Sequence, residues 1–291
     1  MTLLLWLALT IVLLAGSSLL IAAYGSKRWR DTTRLLMQEL EAGSVDAKAD
    51  PARPSRYSSR ELEGLPAPVQ RYFRSVLQED QSIIVAANVQ IRGTFNLSAT
   101  GQQWKPFTSR QRVVTRHPGF LWDAEIAMLP GVNVRVVDSY VAGSGRLHAA
   151  VLGLFKVADV SGGGEIARGE FMRFFAEAVW YPTALLPSQG VRWQAVDDHS
   201  ANASIVDGAH TLTLLFRFND TGLIESFRAE ARGGVIGKET VMAPWEGTFS
   251  NYRMQDGMTV PFTGEVAWIR PTGRRPYFVG TVTAISYEFA P

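Results

Sequence analysis

The chain contains no cysteine, which excludes disulfide staples, thiol nucleophiles and acylation through a cysteine. That absence suits an oxidising compartment without requiring one. Charge of either sign is not in excess: 29 basic residues face 27 acidic ones, for a net charge of +2. No electrostatic footprint for nucleic acid or for an acidic substrate follows from that balance. The four histidines, His117, His148, His199 and His210, lack the paired helical spacing of a zinc site. No metal, cofactor or catalytic residue is therefore assigned.

Catalytic motifs are equally scarce. Gly233 to Glu239 is one residue short of a phosphate loop, and Glu239 stands where magnesium binding needs Ser or Thr. A hairpin turn accounts for it. The run Gly162-Gly163-Gly164 could offer amides to an anion, but reads more simply as a flexible connection. Asp197-Asp198-His199-Ser200 holds the residue types of a nucleophilic triad, yet neighbours in a turn cannot aim at one another as that chemistry demands.

Charge is also missing from Thr2 to Tyr24, and Lys27, Arg28, Arg30 and Arg34 follow directly. At ~1.5 Å per residue such a stretch matches a hydrocarbon core of ~30 Å, so residues 1–25 are expected to form a transmembrane anchor. No basic side chain precedes the run and Ala22-Ala23-Tyr24-Gly25 is a poor cleavage site, which favours a retained anchor over a cleaved signal. The basic flank predicts a cytoplasmic domain. Residues 26–57 are expected to be a stalk helix, with Trp29, Thr33, Leu36 and Leu40 on one stripe, and then a polar linker carrying Pro51 and Pro54.

Residues 58–291 read as one β-rich domain. Ser58-Ser59-Arg60-Glu61 fits a capping box. Leu65-Pro66-Ala67-Pro68 opens a helix whose apolar face carries Val69, Tyr72, Phe73, Val76 and Leu77. From Ile83 the period changes to two, through Val85, Ala87, Val89, Ile91, Gly93, Phe95 and Leu97. Alternation returns around Leu212–Phe218, Val260–Trp268 and Tyr277–Phe289. Turn signals at Ala99-Thr100-Gly101, Asp207-Gly208, Asn219 to Gly222 and Asp256-Gly257 separate the runs. Long antiparallel strands in sequence curl. The expected fold is mainly β: a long curved antiparallel sheet or half-open barrel with a covering helix.

That helix is expected over 166–186, greasy on most sides, with Phe171, Phe174, Phe175, Val179 and Trp180. Glu170, Arg173 and Glu177 share one narrow stripe. They read as surface ion pairs of a few tenths of a kcal/mol, as an acid/base pair, or as an Arg173 that meets an anionic head group.

These segments resemble an uncharacterised bacterial family of membrane-anchored proteins. The likeness is carried by Leu65-Pro66, by Pro68-Val69-Gln70-Arg71-Tyr72, by Trp104-Lys105-Pro106-Phe107 and by Trp122. Further on it rests on Asp138 with Tyr140, Gly143 with Gly145, Arg173 with Glu177, Trp180 with Pro182-Thr183, and Gly264-Val266-Trp268 at alternate positions. The resemblance implies no activity and carries over no catalytic residue. A looser architectural similarity, to lipoprotein-carrier-like lipid-binding half-barrels, implies a periplasmic domain and so opposes the charge-based orientation. The localisation expected is the bacterial inner membrane, single-pass.

The leading expectation is a membrane-anchored, non-enzymatic domain that binds a lipid or other apolar small molecule beside the bilayer. Trp122, Tyr140 and Trp180 would line a hollow behind Phe174, while Arg173 and Glu177, with Asp138 in the same candidate set, would hold a polar head. The alternatives are a structural or assembly protein docking a membrane partner, and a hydrolase acting through Asp138, Glu170 or Glu177.

Overall fold

A computed structural model describes residues 2–43, 53–98, 101–236 and 239–291. Residues 44–52 of the expected linker, Ala99 and Thr100 of the first turn, and Gly237 and Lys238 of the glycine-lysine stretch lie outside the described residues.

Helix α1 runs over Thr2–Ala42. Among the described residues no helix is long and apolar enough to cross a membrane. The expectation of a single-pass inner-membrane protein is corrected accordingly. The helix does not stop where the apolar residues do. It continues unbroken into a charged second half that packs on the protein, burying Trp29 and Leu40.

A 3-10 turn at Ser59–Leu62 stands where the capping box was expected. Ser58 does accept a bond from the Arg60 amide, but the Glu61 carboxylate turns away to the Ser188 amide at 3.1 Å. Helix α2, Ala67–Val76, starts after Pro66 and buries Val69, Tyr72, Phe73 and Val76.

The strands then follow in order: β1 Ile84–Asn96, β2 Trp104–Val114, β3 Gly119–Leu129, β4 Val132–Val141, β5 Ser144–Val151 and β6 Phe155–Gly162. Helix α3, Gly164–Ala176, comes next. After it come β7 Arg192–Asp197, β8 Ser200–Asp207, β9 His210–Phe218, β10 Ile224–Ile236, β11 Glu239–Gln255, β12 Met258–Arg270 and β13 Gly273–Phe289. Together they make one antiparallel sheet of 13 strands, in the order β6-β5-β4-β3-β2-β1-β13-β12-β11-β10-β9-β8-β7. A sheet this wide must curl to bury one face. The crease lies at Gly93, Gly280 and Gly264, which are direct register partners across β1, β13 and β12. A Cβ on Gly93 would collide with the Val279 carbonyl, so the backbones can approach there only without side chains.

In place of one helix over 166–186, α3 ends at Ala176 and gives way to 3-10 turns at Glu177–Trp180, Pro182–Leu185 and Pro187–Gln189. Pro182 and Pro187 have no amide proton to continue the helical ladder. Backbone groups freed by the break find side-chain partners: Tyr181 Oη donates to the Phe174 carbonyl at 2.6 Å and Tyr287 Oη to the Trp180 carbonyl at 2.7 Å. Thr183 Oγ1 in turn accepts the Ile84 amide at 2.9 Å.

The concave face holds the main core, shared by α2, α3 and the 3-10 run. The convex face carries a smaller cluster, where Trp29, Leu36 and Leu40 of α1 meet Ala86, Val114, Leu121, Val137 and Ala150.

Candidate functional site

Helix α3 lies in the concavity because its apolar side chains have nowhere else to go. Phe171, Phe174 and Phe175, with Val179 of the following 3-10 turn, are all buried, each contributing on the order of 1.5–3 kcal/mol by leaving water. They fill the space behind them, so the hollow expected at Phe174 is packed with the protein's own side chains. Tyr140 stacks on Phe171 at 5.1 Å, and Trp180 lies edge-on to Phe249 at 6.1 Å and against Gly264. Both belong to this packing. Tyr140 also donates from Oη to Asp207 Oδ2 at 2.6 Å, joining β4 to the β8–β9 turn across the open side of the sheet. Burial, and then the Asp207 carboxylate, holds that phenol well above its ordinary pKa. A cavity of about 350 Å³ opens beside this latch, bounded by Leu40, Val114, His117, Val141 and Asp207.

The charged stripe of α3 does not face water. Glu170 is 5 % exposed, and Arg173 is held between two carboxylates. Its Nη1 bonds Asp138 Oδ2 at 2.8 Å and its Nε bonds Glu177 Oε1 at 2.7 Å. Gln111 completes the ring, donating to Glu177 Oε2 at 2.5 Å and accepting from Arg173 Nη2 at 3.4 Å. The guanidinium also lies over Trp122 at 4.7 Å and Phe120 at 5.1 Å, an arrangement worth up to ~2 kcal/mol when water is excluded. Gln111, Trp122 and Asp138 are register partners on β2, β3 and β4. Of the six candidate residues, the structure therefore brings Trp122, Asp138, Arg173 and Glu177 together and places Tyr140 and Trp180 in the surrounding core.

A second arginine faces the same helix. Arg232 on β10 stands 3.8 Å from Glu170, with its guanidinium over Trp245 at 4.2 Å and Trp268 at 5.8 Å. Sequence reasoning missed it, because strict alternation after Phe227 and Ala229 turns residue 232 outward. A bulge between Ala229 and Arg232 shifts the register and turns it inward. Gln111 and Ser109 were legible as inward positions on β2, but neither residue type draws attention alone.

The electrostatics follow from burial. It raises the pKa of Glu170 to about 8, with Asp138 adding to the shift while Arg232 and Arg173 oppose it. Asp138 is raised by burial as well, against the pull of Arg173. For Arg173, burial works against its charge, but Glu177 and Asp138 outweigh it and its pKa rises. Five polar atoms here are sealed from solvent without a hydrogen-bond partner: Trp122 Nε1, Asp138 Oδ1, Glu170 Oε2 and Arg232 Nε in the cluster, and Ser109 Oγ two residues before Gln111 on β2. Each such group costs about 1–3 kcal/mol if nothing meets it. Among the described residues no group of three or more His, Asp or Glu side chains is placed to hold a metal ion.

Towards the strand ends at which β3 turns into β4, the concave wall continues as half-buried apolar side chains: Phe95, Val134, Val136, Trp268 and Tyr277. Tyr277 accepts the Trp245 indole proton at 3.1 Å and stacks on Trp268 at 6.2 Å. The charged cluster thus lies inward of an apolar, aromatic strip.

Residues 63–287 match a family described as a family of unknown function, DUF6920. The chain belongs to that family. The resemblance to an uncharacterised family holds at this level. No curated protein matches the chain. Among solved structures, a LolA superfamily protein from Nitrosomonas europaea is similar over 78 % of this chain and 96 % of its own, at 10 % identity and a TM-score of 0.40. A β-barrel-like protein of a domain of unknown function, DUF1849, from Brucella abortus is similar over 71 % of this chain and 99 % of its own, at 10 % identity and a TM-score of 0.22. Neither similarity says what this DUF6920 chain binds.

Proposed function

We propose that this DUF6920 domain is a binding module for an amphipathic ligand, its apolar part on the strip around Phe95, Trp268 and Tyr277 and its polar head at the Arg173 cluster. The observation that carries this reading is the set of five buried, partnerless polar atoms beside two aromatic-stacked arginines. Hydrophobic packing alone gives no reason to seal such atoms, and a folded chain tolerates them where a second molecule supplies the missing partners. Because the space behind Phe174 is packed, we put the ligand along the half-buried strip instead.

Tryptophan quenching tests the reading on the full chain. Single-chain lipids with bromine on the acyl chain are titrated below the concentration at which they form micelles. Trp122, Trp245 and Trp268 border the proposed site, so saturable quenching is expected for at least one head group. Linear, non-saturating quenching with every head group would reject the binding function.

A further inference from the structure

The head-group chemistry can be read from the same cluster, an inference that rests on the binding role just proposed. Arg173 and Arg232 supply two positive charges, and Asp138 and Glu177 supply two negative ones. Glu170 adds either nothing, when protonated, or one further negative charge. In neither state does a positive charge remain for an incoming anion. Burying an uncompensated anion against this balance is strongly unfavourable.

The unmet atoms point the same way. Trp122 Nε1 and Arg232 Nε are donors; Asp138 Oδ1 is an acceptor; Glu170 Oε2 and Ser109 Oγ can serve as either. A carboxylate or phosphate head accepts only, and leaves Asp138 Oδ1 unmet. An ammonium head donates only, and leaves Trp122 and Arg232 unmet. A hydroxyl does both, and a head with two or more hydroxyls carries donors and acceptors for several of these atoms. We infer that the ligand head is neutral and hydroxylated, a glycerol or sugar unit on an acyl or alkyl chain, and that the site discriminates against carboxylate, phosphate and ammonium heads on the same chain.

The experiment uses the brominated series with glycerol, glucose, carboxylate, phosphate and ammonium heads on one chain length. The glycerol or the glucose form is expected to bind at least about tenfold tighter than each charged form, and the stronger of the two identifies the source of the hydroxyls. Asp138→Asn and Glu177→Gln each raise the charge of the cluster by one. Each is expected to move the preference towards the carboxylate form by about tenfold or more, with circular dichroism confirming the fold. Should either variant fail to fold, the wild-type series alone decides. A charged form binding as tightly as the neutral ones overturns the inference and leaves the binding role standing. Absence of saturable quenching by every form removes the binding role itself.

Discussion

The two faces of one sheet solve the same problem differently. On the convex face, α1 is held by ion pairs whose acids reach water: Arg112 bonds Glu41 at 2.6 Å and Glu288 at 2.7 Å, and those carboxylate side chains are 34 % and 47 % exposed. Trp29 donates to Asp123 at 2.8 Å and stacks on His148 at 5.3 Å. On the concave face, Arg173 makes the same kind of fork with Asp138 and Glu177, but side-chain exposures there are only 13–15 %. Equal geometry therefore carries unequal stakes. A lost partner on the outside is replaced by water, whereas a lost partner on the inside leaves a stranded charge. A fork that only needed to hold a helix down belongs on the outer face; its burial points to a different task.

The widest gap should appear when the two arginines are removed. Arg173→Leu is expected to destabilise by about 3–5 kcal/mol, because Asp138 and Glu177 remain buried and unpaired. Arg112→Leu should cost about 1 kcal/mol, since Glu41 and Glu288 can rehydrate. Urea denaturation of both variants measures this, and equal losses would erase the distinction between the faces.

Core truncation comes next. Phe174→Ala is expected to cost about 3–4 kcal/mol, because its neighbours Phe171 and Tyr181 are fixed in contact with it and cannot close the gap. Leu36→Ala, at a half-buried position on the convex cluster, should cost about 1 kcal/mol or less. Thermal melts of the pair sharpen the comparison.

A pH effect follows from Glu170, whose folded pKa of about 8 lies above its ordinary value of 4.5. Between those values the folded chain holds a proton that the unfolded chain releases, so this group makes stability fall as pH rises from about 4.5 to about 8. Below the lower value both states are protonated and the contribution is flat. Glu170→Gln should remove the decline, leaving the variant more stable than the wild type at pH 8 and matching it at pH 4. Denaturant midpoints across that range check the sign. A wild-type midpoint that rises with pH while the variant stays flat would mean the carboxyl is held ionised.

A similarly small effect is expected for Trp29→Phe, about 1 kcal/mol from the lost hydrogen bond to Asp123. Amide exchange should quicken in the second half of α1 and leave α3 unchanged. Acceleration in both helices would mean that the two faces unfold together.

How far the chain was legible follows the same division. Period-two runs marked the long strands, because each side of a sheet sees a uniform environment. Val89, Ile91 and Phe95 fell on the inner face as alternation requires. The break after Ala176 was not foreseen: greasiness persists through Leu186, and only Pro182 and Pro187 signal that the helix stops. Arg173 with Glu177 was readable from helical spacing, whereas Asp138 came only with the family resemblance. The inward direction of the helical pair was not readable, since a stripe of charge on a greasy helix reads as its wet side. Arg232 was hidden by a bulge, which no local periodicity announces. The anchor expectation fails at α1 because no described helix is long and apolar enough to cross a membrane; the second half of α1 docks on the convex face through Trp29 and Leu40.

The row of three glycines across β1, β13 and β12 makes the sheet resemble an opened book, with its spine at Gly93, Gly280 and Gly264. The cover carrying Asp138 and Trp122 and the cover carrying Arg232 and Trp245 are separate leaves that face each other only because that spine is bare. A methyl group added at Gly93, where it would collide with the backbone of the next strand, would spread the covers and pull the two arginine sites apart without altering either page.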